Sequence, residues 1–501
     1  MNSLDNWAAQ SPQYETIGLC VAYAVLMIGL GLFFNKRAQA STSGFYSADA
    51  NVGWFVNSFA VLATVMSGGG MMGNVGVASS LGVLYICAGN FACGPAVGLA
   101  GLYVAGPLRK SRSRTLSDFF QKRFESRAIT ILCVAILSIA YTGYMVAQMK
   151  ASGTVGEYLL GTGFIPTMVV TWVIFTAYTI LGGMLAVTYN DFIQGLIMTA
   201  VAVMIGMTAL IGYGFDYSAL MAAATEAYPN MGLFHMPIWS YIGFFFIWFL
   251  VNQLAPSVCM RAASAKNPFS AGIGLNLAFF WLAVFTFFQM MVSGPAARAL
   301  VGTEGLVNND AYLLVLVNTQ FGVFMKGLLG AAVFSAIMST MAGVLLAVSA
   351  SIANDVICKI WTFSDKKQAK VGVITVLVVA CIVLAFSFNP PDLLALMYSK
   401  FMALMVCGLW APLIFGIWWK RMTAKGALWG MLAGSISYGL LFFGLTMPDF
   451  SELFFAIPIS ILFIVIGSLT SPPPSAEKVR ELESWHEKFD VEADVILGKE
   501  G

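Results

Sequence analysis

The chain has 501 residues, 59% hydrophobic and 10% charged, and its 26 basic and 24 acidic residues leave a formal net charge of +2. A mean hydropathy of +0.82 excludes a soluble globular protein and fits a polytopic helical membrane protein. The small net charge gives no global field for nucleic acid, and no Walker-type glycine-lysine loop is there to cradle ATP.

Apolar runs of about 20 residues span a hydrocarbon core, and the sequence holds thirteen such candidates, at 16–34, 52–80, 83–105, 128–158, 165–184, 190–213, 238–262, 270–294, 326–356, 371–388, 394–418, 426–446 and 452–470. The first follows Asp5 and Glu15 and precedes Lys36 and Arg37. That order predicts a retained first helix with its N-terminus outside, without a cleavable signal. The loop "PLRKSRSRTLSDFFQKRFESR" after the third span carries Arg109, Lys110, Arg112, Arg114, Lys122, Arg123 and Arg127. Alternate loops repeat the bias, with Arg261 and Lys266, then Lys359, Lys366, Lys367 and Lys370, then Lys420, Arg421 and Lys425. The expected topology is N-out and C-in, in a cell inner (plasma) membrane. Beyond "SPPPSAEK" the chain turns charged, which predicts an amphipathic or disordered cytoplasmic tail. Eight cysteines, none in a CxxC pair or beside a histidine, read as small apolar packing residues.

The second span contains "VMSGGGMMGN", with Gly68, Gly69 and Gly70 in its middle. Glycine weakens a helix more than any residue but proline. Five spans later, "FFFIWFLVNQLAPSVCM" carries Asn252, Gln253 and Pro256. Paired interruptions at matching positions in two halves point to a transporter's midplane binding site. The alternative is that the glycines allow close helix packing and the proline is a tolerated kink.

The ninth span, "AAVFSAIMSTMAGVLLAVSASIANDV" (331–356), places Ala336, Ser339 and Thr340 at i, i+3 and i+4. One helical face then offers a carbonyl and two hydroxyls, neutral oxygens that suit a desolvated hard cation. Alternatively, both hydroxyls bond back to carbonyls of their own helix.

These motifs carry a resemblance. "FTAYTILGGMLAVTYNDFIQGLIM" (175–198) resembles the long signature of the sodium/solute symporter family, and 331–356 resembles that family's sodium-binding helix. Residues 389–441 are similar to the corresponding stretch of its sodium/pantothenate permeases. The resemblance implies an all-α membrane protein with a leucine-transporter-type core of two inverted five-helix halves, 52–213 and 214–418. Residues 1–51 would supply the external end, the first helix and a cytoplasmic loop. Two further helices would lie in 419–470 and a cytoplasmic tail in 471–501. Sodium is the implied coupling ion, with no cofactor and no catalytic residue, and the partners are sodium, a small organic solute and the lipid bilayer. The family's sodium site implies backbone carbonyls of Ala63 and Met66 from the first core helix, and Ala336, Ser339 and Thr340 from the eighth.

Val65 stands where the family's proline permeases carry Asp and others Asn, and Ala342 and Gly343 stand where two-sodium relatives carry hydroxyls. One sodium per cycle is the expectation. Asp191 is left as a helix-start cap or an ion-exit residue. On the substrate side the expected residues are Ser67 and Gly70 at the break, Gln148 and Lys150 on the third core helix, and Trp248, Asn252 and Gln253 on the sixth. Trp248 either closes the site or packs, and Lys150 either attracts a substrate carboxylate or snorkels to the surface. The expected function is sodium-coupled import of a small carboxylate such as pantothenate or a short-chain monocarboxylate. A sodium-coupled sugar or proline-like amino-acid symporter, and a solute-sensing membrane module, are the alternatives.

Overall fold

The computed structural model describes residues between 7 and 486 apart from 8, 10, 39–51, 101–102, 105, 112, 114, 255–265, 267, 362, 389–393 and 446. Without water to satisfy backbone N–H and C=O groups, an apolar segment must close its hydrogen bonds within itself, and each long apolar run does so as a helix. In chain order the helices named below are α1 (Tyr14–Ala38), α2 (Trp54–Val65), α3 (Gly69–Leu81), α4 (Val83–Ala100), α5 (Leu116–Phe124), α6 (Arg127–Leu160), α7 (Phe164–Gly212) and α8 (Ile238–Leu254), with shorter ones such as Tyr217–Ala227 and Tyr312–Gln320 in the connections. They continue with α9 (Gly272–Val301), α10 (Val323–Ile360), α11 (Asp365–Ser387), α12 (Leu394–Trp418), α13 (Ala424–Gly444), α14 (Leu453–Leu469) and α15 (Ala476–Ser484).

Eight described helices are long and apolar enough to cross a bilayer, nine when α2 and α3 are taken as one bent span. Shorter apolar helices at Tyr14–Leu30, Phe164–Ala177, Ile238–Leu254 and Leu453–Leu469 fall on other expected spans. The spans expected at 165–184 and 190–213 lie together in α7, so Asp191 is interior to a helix and caps nothing. This corrects the helix-start reading: no proline separates the two runs, and the backbone stays helical across them.

The apolar stretch of α10 is buried along its whole length, whereas α11 buries only a third of its own. The helix expected to bind sodium is therefore the centre of the bundle, with α1, α2, α6, α7 and α11 around it. The described part of the tail forms the amphipathic helix α15, which with the residues just after it buries Leu482 and Trp485. Trp485 packs on Phe119 of α5, and Lys420 beyond α12 pairs with Glu483 at 2.7 Å. Arg123 of α5 donates to the carbonyls of Gly416, Trp419 and Met422, satisfying acceptors left open at the C-terminal end of α12. Burial pulls its guanidinium down to about 10.

Candidate functional site

Helix α2 ends because its backbone leaves helical geometry at Met66, where φ is −85° and ψ is 104°. Helix α3 restarts at Gly69 in a π-helical turn, and the two halves meet at 66°. In an unbroken helix the Gly69 and Gly70 N–H groups would bond to the carbonyls of Val65 and Met66. Here Gly69 donates instead to Gln148 Oε1 at 3.0 Å and Gly70 to Ser67 Oγ at 2.9 Å. The carbonyls at the end of α2 are thereby released from the helix.

The Ala63 carbonyl, two residues before Val65, is claimed by α10. Ser339 Oγ donates to the Ala63 carbonyl at 2.8 Å and to the Ala336 carbonyl at 3.2 Å. Thr340, one residue on, is fully buried and its hydroxyl makes no hydrogen bond. Leaving a buried hydroxyl unpaired costs about 1–3 kcal/mol. The expected back-bond to its own helix, the ordinary use of Thr in a membrane span, is not made. Ala63, Ala336, Ser339 and Thr340 thus present neutral oxygens around the Ser339–Ala63 contact, with Met66 at the adjoining helix end, a donor set that fits a desolvated sodium ion. Beside it, Thr64 Oγ1 bonds to the Ala60 carbonyl at 2.7 Å and to Asp191 Oδ2 at 3.3 Å. Asp191 of α7 therefore reaches the helix end that carries the freed carbonyls.

The triplet's other side faces a polar and aromatic wall. A Cβ added at Gly68 would lie 2.2 Å from Ile337 Cγ1, and one at Gly69 would lie 2.9 Å from Tyr398 and 3.3 Å from Gln148 Nε2. Glycine is required there because α6, α10 and α12 all press on the break. Tyr398 stacks edge-on against Tyr144 and against Trp248, each at 5.5 Å between ring centroids. Its hydroxyl donates to Asn74 Oδ1 at 3.2 Å, and Asn74 Nδ2 donates to Asn90 Oδ1 at 3.3 Å. Gln148 Nε2 is buried and has no hydrogen-bond partner.

Of the expected substrate residues, Ser67, Gly70, Gln148 and Trp248 gather at this wall. Asn252 donates to the Trp248 carbonyl of its own helix at 2.7 Å, and Gln253 accepts from Trp410 Nε1 at 3.3 Å. Pro256 lies outside the described residues. Lys150 neither offers an open cation nor snorkels, because its ammonium pairs with Asp310 Oδ2 at 3.4 Å, with the two side chains 12% and 1% exposed. Sequence reading missed Tyr144, Tyr398, Asn74, Asn90 and Asp310. Tyr144 was within reach of it, standing four residues before Gln148 on one helical face. The others required the fold.

A broken helix holding cation-type oxygens on one side and a polar, aromatic chamber on the other defines a membrane transporter that binds an ion and a solute at a shared element. The profile of the sodium:solute symporter family matches residues 45–434, and the chain belongs to that family. It is a sodium-coupled, multi-pass membrane transporter of a small organic solute. It is 27% identical over 442 residues to "Sodium/proline symporter 2" of Staphylococcus saprophyticus, covering 84% of this chain and 85% of that one. It is 26% identical over 446 residues to "Sodium/proline symporter" of Staphylococcus aureus, at the same coverage. The fold is similar to that of a sodium-coupled sialic acid symporter in a substrate-bound outward-open state, with a TM-score of 0.78 and 17% identity over 92% of this chain and 99% of that one. A nucleobase-cation-symport-1 family transporter in a closed conformation gives 0.55 at 13% identity, covering 89% and 100%. Both are leucine-transporter-type folds. The relatives named are proline symporters rather than pantothenate permeases.

Proposed function

We propose that this protein imports proline, or a small zwitterionic amino acid close to it, together with one sodium ion per cycle by alternating access. The observation that carries the reading is the break itself: the Ala63 carbonyl meets Ser339 on one side, while Gly69 meets Gln148 on the other. Sodium would be held by the carbonyls of Ala63, Met66 and Ala336 and the hydroxyls of Ser339 and Thr340. Solute would lie against Ser67 to Gly70, with Gln148 Nε2 as the unused donor for its carboxylate and Tyr144, Trp248 and Tyr398 around its apolar ring. Because both ligands share one element, each alters the other's affinity.

The charge balance supports a zwitterion over the monocarboxylate first expected. Drawing an anion into a low-dielectric chamber calls for an unneutralised cation, and the Lys150 charge is already matched by Asp310. The thirteen-span topology, the inverted halves 52–213 and 214–418, the external N-terminus and a site in the inner (plasma) membrane complete the proposal. Sodium would leave toward the cytoplasm past Thr64 and Asp191.

The test is uptake of labelled L-proline by proteoliposomes with and without an inward sodium gradient, with pantothenate and a short-chain monocarboxylate alongside. Sodium-driven proline accumulation is expected. Accumulation of pantothenate instead, or proline uptake indifferent to sodium, would overturn the reading.

A further inference from the structure

We infer that Asp310 is a positioning residue for transport, a carboxylate that clamps α6 to α12 above the glycine break and so closes the solute chamber on the expected external side. The chamber is taken from the proposed function, and the inference rests on that reading.

Asp310 lies in a short turn, Asn309–Ala311, between α9 and α10. The turn is fixed locally: Asn308 Oδ1 accepts the Asp310 N–H at 3.1 Å. It is also wedged against α3, because a Cβ at Gly76 would lie 2.3 Å from the Asn309 carbonyl oxygen. From that fixed point the carboxylate reaches two other elements. Oδ2 takes the Lys150 ammonium of α6, and both oxygens receive the N–H of Leu394, the first residue of α12, at 3.3 and 3.2 Å. A buried carboxylate so bound is held by charge on one side and by the positive end of a helix on the other.

The spacing ties the clamp to the chamber. Two residues before Lys150 stands Gln148, which accepts from Gly69. Four residues after Leu394, one helical turn, stands Tyr398, against which a Gly69 side chain would collide. Helix α3 also packs on the start of α12, where a Cβ at Gly73 would lie 3.1 Å from the Ala395 nitrogen. One carboxylate thus sets the relative position of the two side chains that press on the break. Opening an outer path between α3, α6 and α12 must separate at least one of its tethers. Asp310 is therefore a closure contact, remade in each cycle once solute is aboard.

The test uses the full-length protein in proteoliposomes, with labelled L-proline as probe and an inward sodium gradient. In Asp310→Asn and in Lys150→Met the KM for proline rises about tenfold, the loss of one hydrogen bond to a charged group, while the half-saturating sodium concentration stays within twofold. The double variant is no worse than the poorer single, since both break one contact. Fold-changes that multiply would overturn the clamp. Asp310→Glu keeps the charge on a longer stem and recovers part of the lost affinity; this variant serves if Asp310→Asn does not fold.

Hydrogen exchange supplies a readout that needs no solute. In Asp310→Asn, peptides covering 394–398 and 66–74 both exchange faster than in the wild type. Faster exchange at 394–398 alone would mean a local cap, and the inference would fall. If wild-type protein takes up no proline but the exchange pattern appears, the substrate assignment fails and the clamp stands.

Discussion

The Ser339 hydroxyl lies 2.8 Å from the Ala63 carbonyl, joining the most buried helix of the bundle to the end of the broken one. As a donor, Ser339 satisfies a carbonyl that its own helix has released. With its hydrogen turned away, the same oxygen and that carbonyl can both face a cation, and Thr340 adds a buried oxygen that does not bond back to its own helix. Ser339→Ala and Thr340→Ala are each expected to raise half-saturating sodium about tenfold, the equivalent of one lost ligand. Sodium should also raise the Tm of the wild type, since an ion that binds only the folded form stabilises it by mass action. That rise should shrink in both variants; a full sodium shift in the double variant would remove these hydroxyls from the ion site.

The three glycines are not equivalent. A side chain at Gly68 meets Ile337 at 2.2 Å, whereas one at Gly70 comes no closer than 3.5 Å to Met66 Sδ and Ser67 Oγ and 3.7 Å to Asn74 Nδ2, ordinary contacts. Overpacking a tight interior costs about 1–3 kcal/mol. Gly68→Ala should therefore lower Tm and uptake, and Gly70→Ala should leave Tm nearly unchanged. Adding Ile337→Ala to Gly68→Ala should restore part of the loss. Equal damage at both positions would mean that backbone freedom, rather than space, is what the triplet provides.

How far this site could be read from sequence depended on whether its partners are neighbours along the chain. The break at Gly68 to Gly70 and the face Ala336, Ser339, Thr340 are local patterns, visible as a glycine run and as i, i+3, i+4 spacing. Lys150 was conspicuous as an isolated charge in an apolar span, but its partner is 160 residues away in a three-residue turn. No periodicity connects them, so the cation was assigned to a ligand when it belongs to the protein. Asp191 failed differently: a short polar step between two apolar runs looks like a loop, yet without a proline the helix continues through it. Gln253 was a polar residue whose partner, Trp410, lies 157 residues away, so only the fold could show what it bonds to. Tyr398 lacked a signal altogether, one tyrosine among seventeen.

Gln148 joins the two halves of the proposed mechanism. Its oxygen holds the Gly69 N–H and its nitrogen is unpaired. Gln148→Leu removes both groups while keeping the side chain's bulk. The KM for proline should rise about tenfold, as for a hydrogen bond to a charged carboxylate, with little change in sodium dependence. Should sodium affinity fall in step with proline affinity, the glutamine would be serving the geometry of the break rather than the solute.

The docked tail offers a prediction in which two forces can be ranked. Hydrogen bonding to Lys420 and its charge hold the Glu483 carboxyl below its ordinary range, and the tail is therefore tighter above that range and loosens as acid protonates Glu483. Lys478 has the opposite sign: burial pulls it down, but Glu481 and Glu125 together outweigh that and leave it raised. Its contribution is present at neutral pH and is lost only as strong alkali deprotonates it. Exposed ion pairs contribute little, because solvent and salt screen them. By contrast, burying an aromatic such as Trp485, which is 5% exposed against Phe119, contributes roughly 2–3 kcal/mol. Tryptic cleavage at Arg480 should therefore rise modestly in Lys420→Ala, and steeply in Trp485→Ala. If Lys420→Ala released the tail as completely as Trp485→Ala, charge rather than burial would be what holds α15 against α5 and α12.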